Sequence, residues 1–346
     1  MKKEPLFGKN IDELTEITKK TDLPDYAAKQ IADWLYSKDI RNIDEMTNLS
    51  KKGRSVLKEK YQIGLEDPVK EQTSVDGTKK YLFPAGENKY IETVYIPEEK
   101  RNTICLSTQV GCKYGCDFCM TGKQGFQGNL TSGQIVNQIK SLPERDLISN
   151  IVLMGMGEPL DNLQEVMKAL DLLTSDWGFA MSPRRITLST VGVLPALKKF
   201  LDKSECHLAL SLHTPFEEER QKLMPVENKY PFKKIIDQVK KIDWSGQRRF
   251  SIEYIVFKGL NDSPKHAKEL SRLLHGIKCR VNLIRFHTIP GSKFKEETPE
   301  KMEEFQNELK LQGVFTTIRK SRGQDIAAAC GLLKVTYSSQ LSQEDS

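Results

Sequence analysis

Gly111-Cys112-Lys113-Tyr114-Gly115-Cys116-Asp117-Phe118-Cys119 sets three cysteines at spacings of four and three within one loop. Such spacing lets a single loop wrap one metal centre. Thiolates are soft ligands suited to iron–sulfur clusters or zinc, and two glycines let the backbone fold tightly around the site. Structural zinc ordinarily takes four protein ligands, often from two separated Cys-x-x-Cys knuckles, and the chain carries no second knuckle. Three ligands leave a coordination position open, and on a four-iron cluster that open iron is where a substrate or cofactor can bind directly. The spacing therefore points to a reactive cluster held by Cys112, Cys116 and Cys119, with structural zinc as the alternative.

The loop directly follows a β-rich run, Thr103 to Thr108, the first of several that alternate with amphipathic helical stretches. Further candidate strands are Asn150 to Met154, Arg185 to Ser189, His207 to Leu212, Phe250 to Phe257 and Arg280 to Phe286, with a seventh near Val314 to Ile318. Between them, Leu163, Val166, Met167, Leu170 and Leu173 recur at spacings of three and four, as a core-facing helical stripe does. Alternation of this kind predicts an α/β fold with a parallel sheet and crossover helices. Because a complete barrel has eight such units, six clear ones predict a partial, open (βα)6 TIM-like barrel over residues 101–336.

Upstream the pattern changes. Residues 1–75 read as a small helical accessory domain of mixed charge, with amphipathic stretches Ala27 to Tyr36 and Ser50 to Tyr61. Residues 76–100 read as a connecting β-hairpin, Lys79 to Phe83 and Tyr90 to Ile96 around a Pro-Ala-Gly-Glu-Asn turn. Residues 337–346 form a polar tail expected to be disordered.

With 346 residues, 38% of them hydrophobic, the chain can bury a large core. It has no signal-like apolar run and no stretch of about 18 apolar residues, so a cytoplasmic location without membrane contact is expected. Lys and Arg exceed Asp and Glu by 53 to 47, scattered in pairs such as Arg184-Arg185 and Arg248-Arg249. These permit a polyanionic partner such as RNA, although any one pair is equally ordinary solvated surface charge. Seven cysteines in a reducing compartment suggest metal binding, catalysis or burial, not a disulfide framework.

Catalytic groups of barrels sit at the C-terminal ends of strands, and the predicted ends here are small or polar. They are Gly155-Met156-Gly157-Glu158-Pro159, Ser189-Thr190, Ser211-Leu212-His213 and His287. Each alone could be a turn or a helix cap; together on one rim with the cysteine loop they suggest a cofactor pocket, where Glu158 could receive an ammonium group. Cys105 lies within the first strand, and Cys330 sits in Arg322-Gly323-Gln324-Asp325-Ile326-Ala327-Ala328-Ala329-Cys330-Gly331. By spacing alone both read as buried thiols, but glycines and polar residues around Cys330 favour a mobile loop. Cys206 and Cys279, at strand starts, read as core residues.

The Cys-x-x-x-Cys-x-x-Cys loop, with an aromatic residue before its last cysteine, resembles the radical S-adenosylmethionine superfamily. In that superfamily a 4Fe-4S cluster binds S-adenosyl-L-methionine at its open iron, and one electron cleaves the cofactor to a 5′-deoxyadenosyl radical. Over nearly the whole chain, the combination of Ile91-Glu92-Thr93-Val94, Cys105, the cluster loop with Thr121 to Phe126, Gly155 to Pro159, Ser211 to His213 and Asp325 to Gly331 is similar to the RlmN/Cfr family of RNA methyltransferases.

That resemblance implies methylation at C2 of an adenosine in 23S rRNA at the peptidyl transferase centre, and of the adenosine beside the anticodon in some tRNAs. It implies Glu92 as proton acceptor, Cys330 as the methyl-carrying cysteine, and Cys105 as the thiol that resolves the protein–RNA adduct through a transient disulfide with Cys330. By position it assigns S-adenosyl-L-methionine contacts to Gly157, Glu158, Ser189, Ser211, Leu212 and His213. His287 stands where the family is expected to have asparagine; an imidazole can still make a hydrogen bond there. Two cofactor molecules per turnover, an electron donor such as a flavodoxin-type reductant, and a monomer are likewise implied.

Three alternatives remain at this point. Cfr-type methylation at C8 would use the same cysteines, although Pro159 and Pro290-Gly291 fit C2 better by resemblance. A non-catalytic iron–sulfur RNA-binding protein would leave Cys330 inert, and a glycyl-radical activase would have no use for Cys105 and Cys330.

Overall fold

The computed structural model describes residues 3–334. Ten strands form one sheet in sequence order: β1 (Lys70–Thr73), β2 (Lys79–Pro84), β3 (Tyr90–Glu98), β4 (Arg101–Cys105), β5 (Asn150–Leu153), β6 (Ile186–Thr190), β7 (His207–Ser211), β8 (Phe250–Val256), β9 (Cys279–Arg285) and β10 (Thr316–Arg319). From β4 to β10 every neighbouring pair is parallel, with six helical crossovers between the seven strands. β1 to β4 pair antiparallel and extend the same sheet, so the hairpin Tyr81↔Thr93 continues directly into the barrel strand through Val94↔Cys105.

Two-residue periodicity sorts the side chains. Ile252 and Tyr254 of β8 are fully buried beneath the crossover helices, whereas Ser251 and Glu253 line the concave side. The sheet curls strongly. Arg319 Nη1 at the end of β10 lies 3.5 Å from Met154 Sδ just after β5, although a flat sheet would hold strands five apart about 24 Å from each other. Since β1 and β10 are the edges of the sheet among the described residues, the result is an open partial barrel. The seventh strand expected near 314–318 is Thr316–Arg319.

Packed on the barrel's flank are the N-terminal helices Ile11–Lys20, Ala27–Ala32 and Lys51–Lys60. The expected helix through Tyr36 changes character after Ala32, finishing in a π-helical turn, Asp33–Ser37. That turn presents Tyr36 to Phe7, Trp177 and Phe179 at ring separations of 5.5, 6.0 and 5.8 Å. Lys140 Nζ donates to the carbonyls of Tyr36 and Lys38, and burial lowers its pKa to about 8. The apolar residues of this region join one contiguous core with the crossover helices. No helix among the described residues is long and apolar enough to cross a membrane. The polar segment 337–346 lies outside the described residues.

Candidate active site

After β4 the chain makes a short two-residue strand, Gln109–Val110, and enters the cysteine loop through Gly111. Gly111 has φ +72°, and a Cβ there would sit 1.6 Å from the carbonyl oxygen of Gly125, so only glycine fits. Gly115 also has positive φ, and the Cys119 N–H closes the turn on the Cys116 carbonyl at 3.0 Å. Phe118 packs at ring separations of 4.8 Å on His213 and 5.6 Å on Phe257, seating the loop on the barrel rim.

Burial pushes the thiols of Cys112 (to about 12), Cys116 and Cys119 upward; Cys119 raises Cys112 further, and Cys119 and Cys112 raise Cys116. Three such thiolates side by side need a cationic centre, which iron would supply. Among the described residues no three His, Cys, Asp or Glu side chains converge as on a single metal ion. Each thiolate of a four-iron cluster binds its own iron, so the sulfurs need not meet at a point. The donor set and the loop fit a cluster.

Gly157 and Glu158 follow β5. Gly157 has φ +99°, and a Cβ would come within 2.5 Å of Gln109 Cβ. Glu158 is 3% exposed and accepts hydrogen bonds from Thr190 Oγ1 (2.6 Å), Val191 N (2.8 Å) and Leu160 N (3.0 Å). Burial raises its pKa to about 7 against the pull of those donors. The side chain thus ties the ends of β5 and β6 together and keeps little acceptor capacity for an ammonium group. Ser189 and Ser211 meet across β6 and β7 at 3.5 Å. Leu212 is fully buried, and His213 adopts φ +63° with Nδ1 accepting from Ile255 N at 3.0 Å. Burial, with Arg220 nearby, lowers the His213 pKa to about 3, so the ring is neutral. His287, which follows β9, has Nε2 2.8 Å from Ser321 Oγ.

Inside the curled sheet is a cavity of about 810 Å3 whose wall includes Cys105, Cys330 and His287. Cys330 shares the cavity wall with Cys105, and the carbonyl of Gly331 beside it accepts from Met120 N, next to Cys119, at 2.8 Å. Cys330 therefore stands between the barrel strand and the cluster loop. Burial raises the Cys105 thiol to about 12, the Cys330 neighbour adds to this, and Arg319 and the Met154 N–H oppose it. All seven cysteines are free thiols.

The Cys330 loop is strapped down at both ends. Asp325 accepts from Ser74 Oγ (2.6 Å) and Val75 N (3.1 Å), and Asp76 from Gly323 N (3.0 Å). Beyond Cys330, Thr121 Oγ1 donates to the Leu333 carbonyl and Lys334 N donates to Glu92 Oε2, both at 2.8 Å. Glu92 is 5% exposed and pairs through Oε1 with Lys80 Nζ at 3.0 Å. Burial raises its pKa and Lys80 draws it back.

Three cations of this site escaped the sequence reading. Lys80 and Arg319 compensate Glu92 and the two thiols. Arg220, fully buried, pairs with Glu227 and donates to the carbonyls of Val191 (2.9 Å), Ser211 (3.0 Å) and Leu212 (3.2 Å), pinning the ends of β6 and β7. A partial signal for Lys80 lay in its strand pairing with Val94, beside Glu92.

A family profile described as the radical SAM superfamily matches residues 106–270, and one described as the ribosomal RNA large subunit methyltransferase N-terminal domain matches residues 5–63. A probable dual-specificity RNA methyltransferase RlmN of Bacteroides thetaiotaomicron is 56% identical over 333 residues, covering 96% of each chain. A dual-specificity RNA methyltransferase RlmN of Nitratiruptor is 43% identical, covering 94% of this chain and 98% of its own. Among solved structures, a radical SAM methyltransferase from Sphaerobacter thermophilus superposes with a TM-score of 0.89 at 37% identity, over 96% of this chain and 99% of that one.

Proposed function

The chain belongs to the RlmN family of radical S-adenosylmethionine RNA methyltransferases, and from that footing we propose that it methylates C2 of an adenosine in 23S rRNA and of the adenosine beside the anticodon in some tRNAs. The observation that carries this reading is that Cys330 shares a cavity wall with Cys105 and is tied to the cysteine loop through the hydrogen bond from Met120 N to the Gly331 carbonyl. A methyl-carrying cysteine must face the radical source on one side and a resolving thiol on the other.

The superfamily's 4Fe-4S cluster and S-adenosyl-L-methionine, when bound, supply one-electron cleavage chemistry that can abstract hydrogen from an unactivated methyl group. Cys112, Cys116 and Cys119 hold the cluster. Gly157, Ser189, Ser211, Leu212 and neutral His213 offer backbone and hydroxyl contacts to the cofactor, and Glu158 orders the rim beneath them. Cys330 accepts a methyl group on sulfur and presents it, as a one-carbon bridge, to C2 of adenine. Glu92, a buried carboxylate with an elevated pKa, is suited to take the C2 proton. Cys105, as thiolate, then attacks Cys330 Sγ; the bond from that sulfur to the bridging carbon breaks, the carbon takes up a proton to become the methyl group of the released base, and a disulfide is left for an external reductant. Arg319 stabilises whichever sulfur carries negative charge. Methylation of the cysteine and its radical conversion call for two cofactor molecules per turnover. A flavodoxin-type electron donor, a cytoplasmic setting and a monomeric enzyme complete the proposal.

The experiment uses anaerobic, reduced protein, ribosomal RNA and trideuteromethyl S-adenosyl-L-methionine, followed by digestion and mass analysis. A C2-methyladenosine retaining two of the three deuteriums supports the route through Cys330, since direct transfer keeps all three. Methylation at C8 would select the Cfr-type alternative, and cofactor cleavage with no methylated adenosine would sink the RNA assignment.

A further inference from the structure

The cavity inside the curled sheet has two ends, and the proposed reaction uses one of them. Cys330 and the cluster loop occupy the end where the parallel strands finish. At the other end the strands begin, and the residues that feed them are basic: Arg184 and Arg185 before β6, Arg249 before β8, Lys278 and Arg280 at β9. All five are exposed. Among the described residues the wall carries ten Arg and Lys side chains against two Glu, so its charge is predominantly positive. Neither Arg184 nor Arg249 has an ion-pair partner among the described residues, which leaves their charge uncompensated at the opening.

We propose that this cationic mouth admits an anionic low-molecular-weight thiol that reduces the Cys105–Cys330 disulfide. The inference rests on the disulfide step of the function proposed above. Cys105 is 8% exposed and lines the cavity. A folded dithiol reductase presents its cysteine on a protein surface and cannot follow it there, whereas a cavity of about 810 Å3 lies within the size range that holds small ligands. Cys105 ends β4, and Arg101 and Thr103 of the same strand line the cavity from the mouth up to it, whereas Cys330 is tied to the cluster loop through the Met120 N–H to Gly331 carbonyl hydrogen bond.

The exchange balances with two equivalents of thiol. The first, as thiolate, attacks Cys105 Sγ; the S–S bond breaks and Cys330 leaves as a thiolate beside Arg319, which then takes up a proton. The second attacks the mixed disulfide on Cys105, forming the small-molecule disulfide and restoring the Cys105 thiol. Two electrons pass from the two small thiols to the two protein sulfurs, and their two protons end on Cys105 and Cys330. A positive, low-dielectric funnel raises the encounter rate of an anion by a factor of roughly 10 to 1,000, an advantage that salt removes.

The test uses full-length, cluster-loaded protein kept anaerobic and oxidised with diamide, with the Cys105–Cys330 peptide quantified by mass. Reduction is then timed with mercaptoethanesulfonate as the anionic thiol, 2-mercaptoethanol as the neutral one and thioredoxin as a protein dithiol. In the unaltered protein the anionic thiol should be faster than the neutral one by about tenfold at low salt, and thioredoxin slowest. In Arg184→Glu/Arg249→Glu that preference should fall at least fivefold while the neutral thiol's rate stays unchanged, which also reports an intact fold. A preference insensitive to both salt and charge reversal, or thioredoxin outpacing both thiols, overturns the access route and leaves the disulfide step standing. Failure to form the linked peptide at all overturns the disulfide step and this inference with it.

Discussion

The backbone N–H of Met120, one residue after Cys119, donates at 2.8 Å to the carbonyl of Gly331, one residue after Cys330. Two loops more than 200 residues apart in sequence are thereby locked in register, and the sulfur of Cys330 is fixed relative to Cys119. Flexibility suggested by the glycines around Cys330 is restrained by this bond and by the Thr121–Leu333 bond beside it.

Replacing Thr121 with Val should loosen that register, while the backbone N–H groups of Thr121 and Gly122 still support Cys119. A buried side-chain hydrogen bond contributes about 1 kcal/mol, or roughly fivefold in a local opening equilibrium. Amide exchange over residues 330–334 should accelerate by about that factor, with iron content unchanged. Loss of iron in the variant would mean that Thr121 supports the cluster loop instead.

Cys330→Ala and Cys105→Ala should fail in different ways. Without Cys330 there is no methyl carrier, so RNA methylation should stop while reductive cleavage of S-adenosyl-L-methionine continues. Without Cys105 the carbon bridge between Cys330 and the base has no thiol to release it. A protein–RNA adduct should then accumulate, visible as a ribonuclease-sensitive species on a denaturing gel. Equal methylation by either variant and the unaltered enzyme would contradict the assigned roles.

Much of the barrel was legible because its strands carry apolar runs that the helices cover, such as Ile151-Val152-Leu153 and Phe250 to Val256. β1 was not: Lys70-Glu71-Gln72-Thr73 is exposed at every position, so no alternation marks it, and only pairing with β2 makes it a strand. Edges erred where a chain leaves the sheet to serve the site. Leu106 still donates to the Val152 carbonyl, but Ser107 and Thr108 turn away to bind Glu92, Met156 and Leu130 backbone groups. Cys112, Cys116 and Cys119 stood out by their spacing, whereas Cys105 and Cys330 did not. Arg220 could not, since within Glu217-Glu218-Glu219-Arg220-Gln221-Lys222 it looks like surface charge, and only tertiary packing buries it.

Arg220→Met should cost about 3–5 kcal/mol, because it leaves the Glu227 carboxylate buried without its partner. It also frees the carbonyls of Val191, Ser211 and Leu212, so the rim at β6 and β7 should loosen with it. The measurable pair is denaturant midpoint and affinity for S-adenosylhomocysteine. Both should fall, and Arg220→Met/Glu227→Leu should recover much of the stability but not the affinity. Recovery of both would show that Arg220 matters to the rim only through overall stability.

Lys80→Met isolates the charge on Glu92. In the native protein burial raises the Glu92 pKa, while Lys80 at 3.0 Å and the Lys334 N–H pull it down. Removing the ammonium leaves desolvation less opposed, so the folded pKa climbs further above the unfolded one. A group shifted upward in this way contributes stability that is fully present below its unfolded pKa and is lost as pH rises through its folded pKa. Lys80→Met should therefore lie close to the unaltered protein near pH 5 and fall behind it toward pH 8. The limit is the cost of an unpaired buried charge, about 3–5 kcal/mol. Catalysis should register the same change, because a proton acceptor must be ionised to act. The ascending limb of the methylation rate should move to higher pH in Lys80→Met and be absent in Glu92→Gln. A stability difference constant between pH 5 and pH 8 would mean that Glu92 is not ionised against Lys80 in the folded protein, and that the proton leaves C2 by another group.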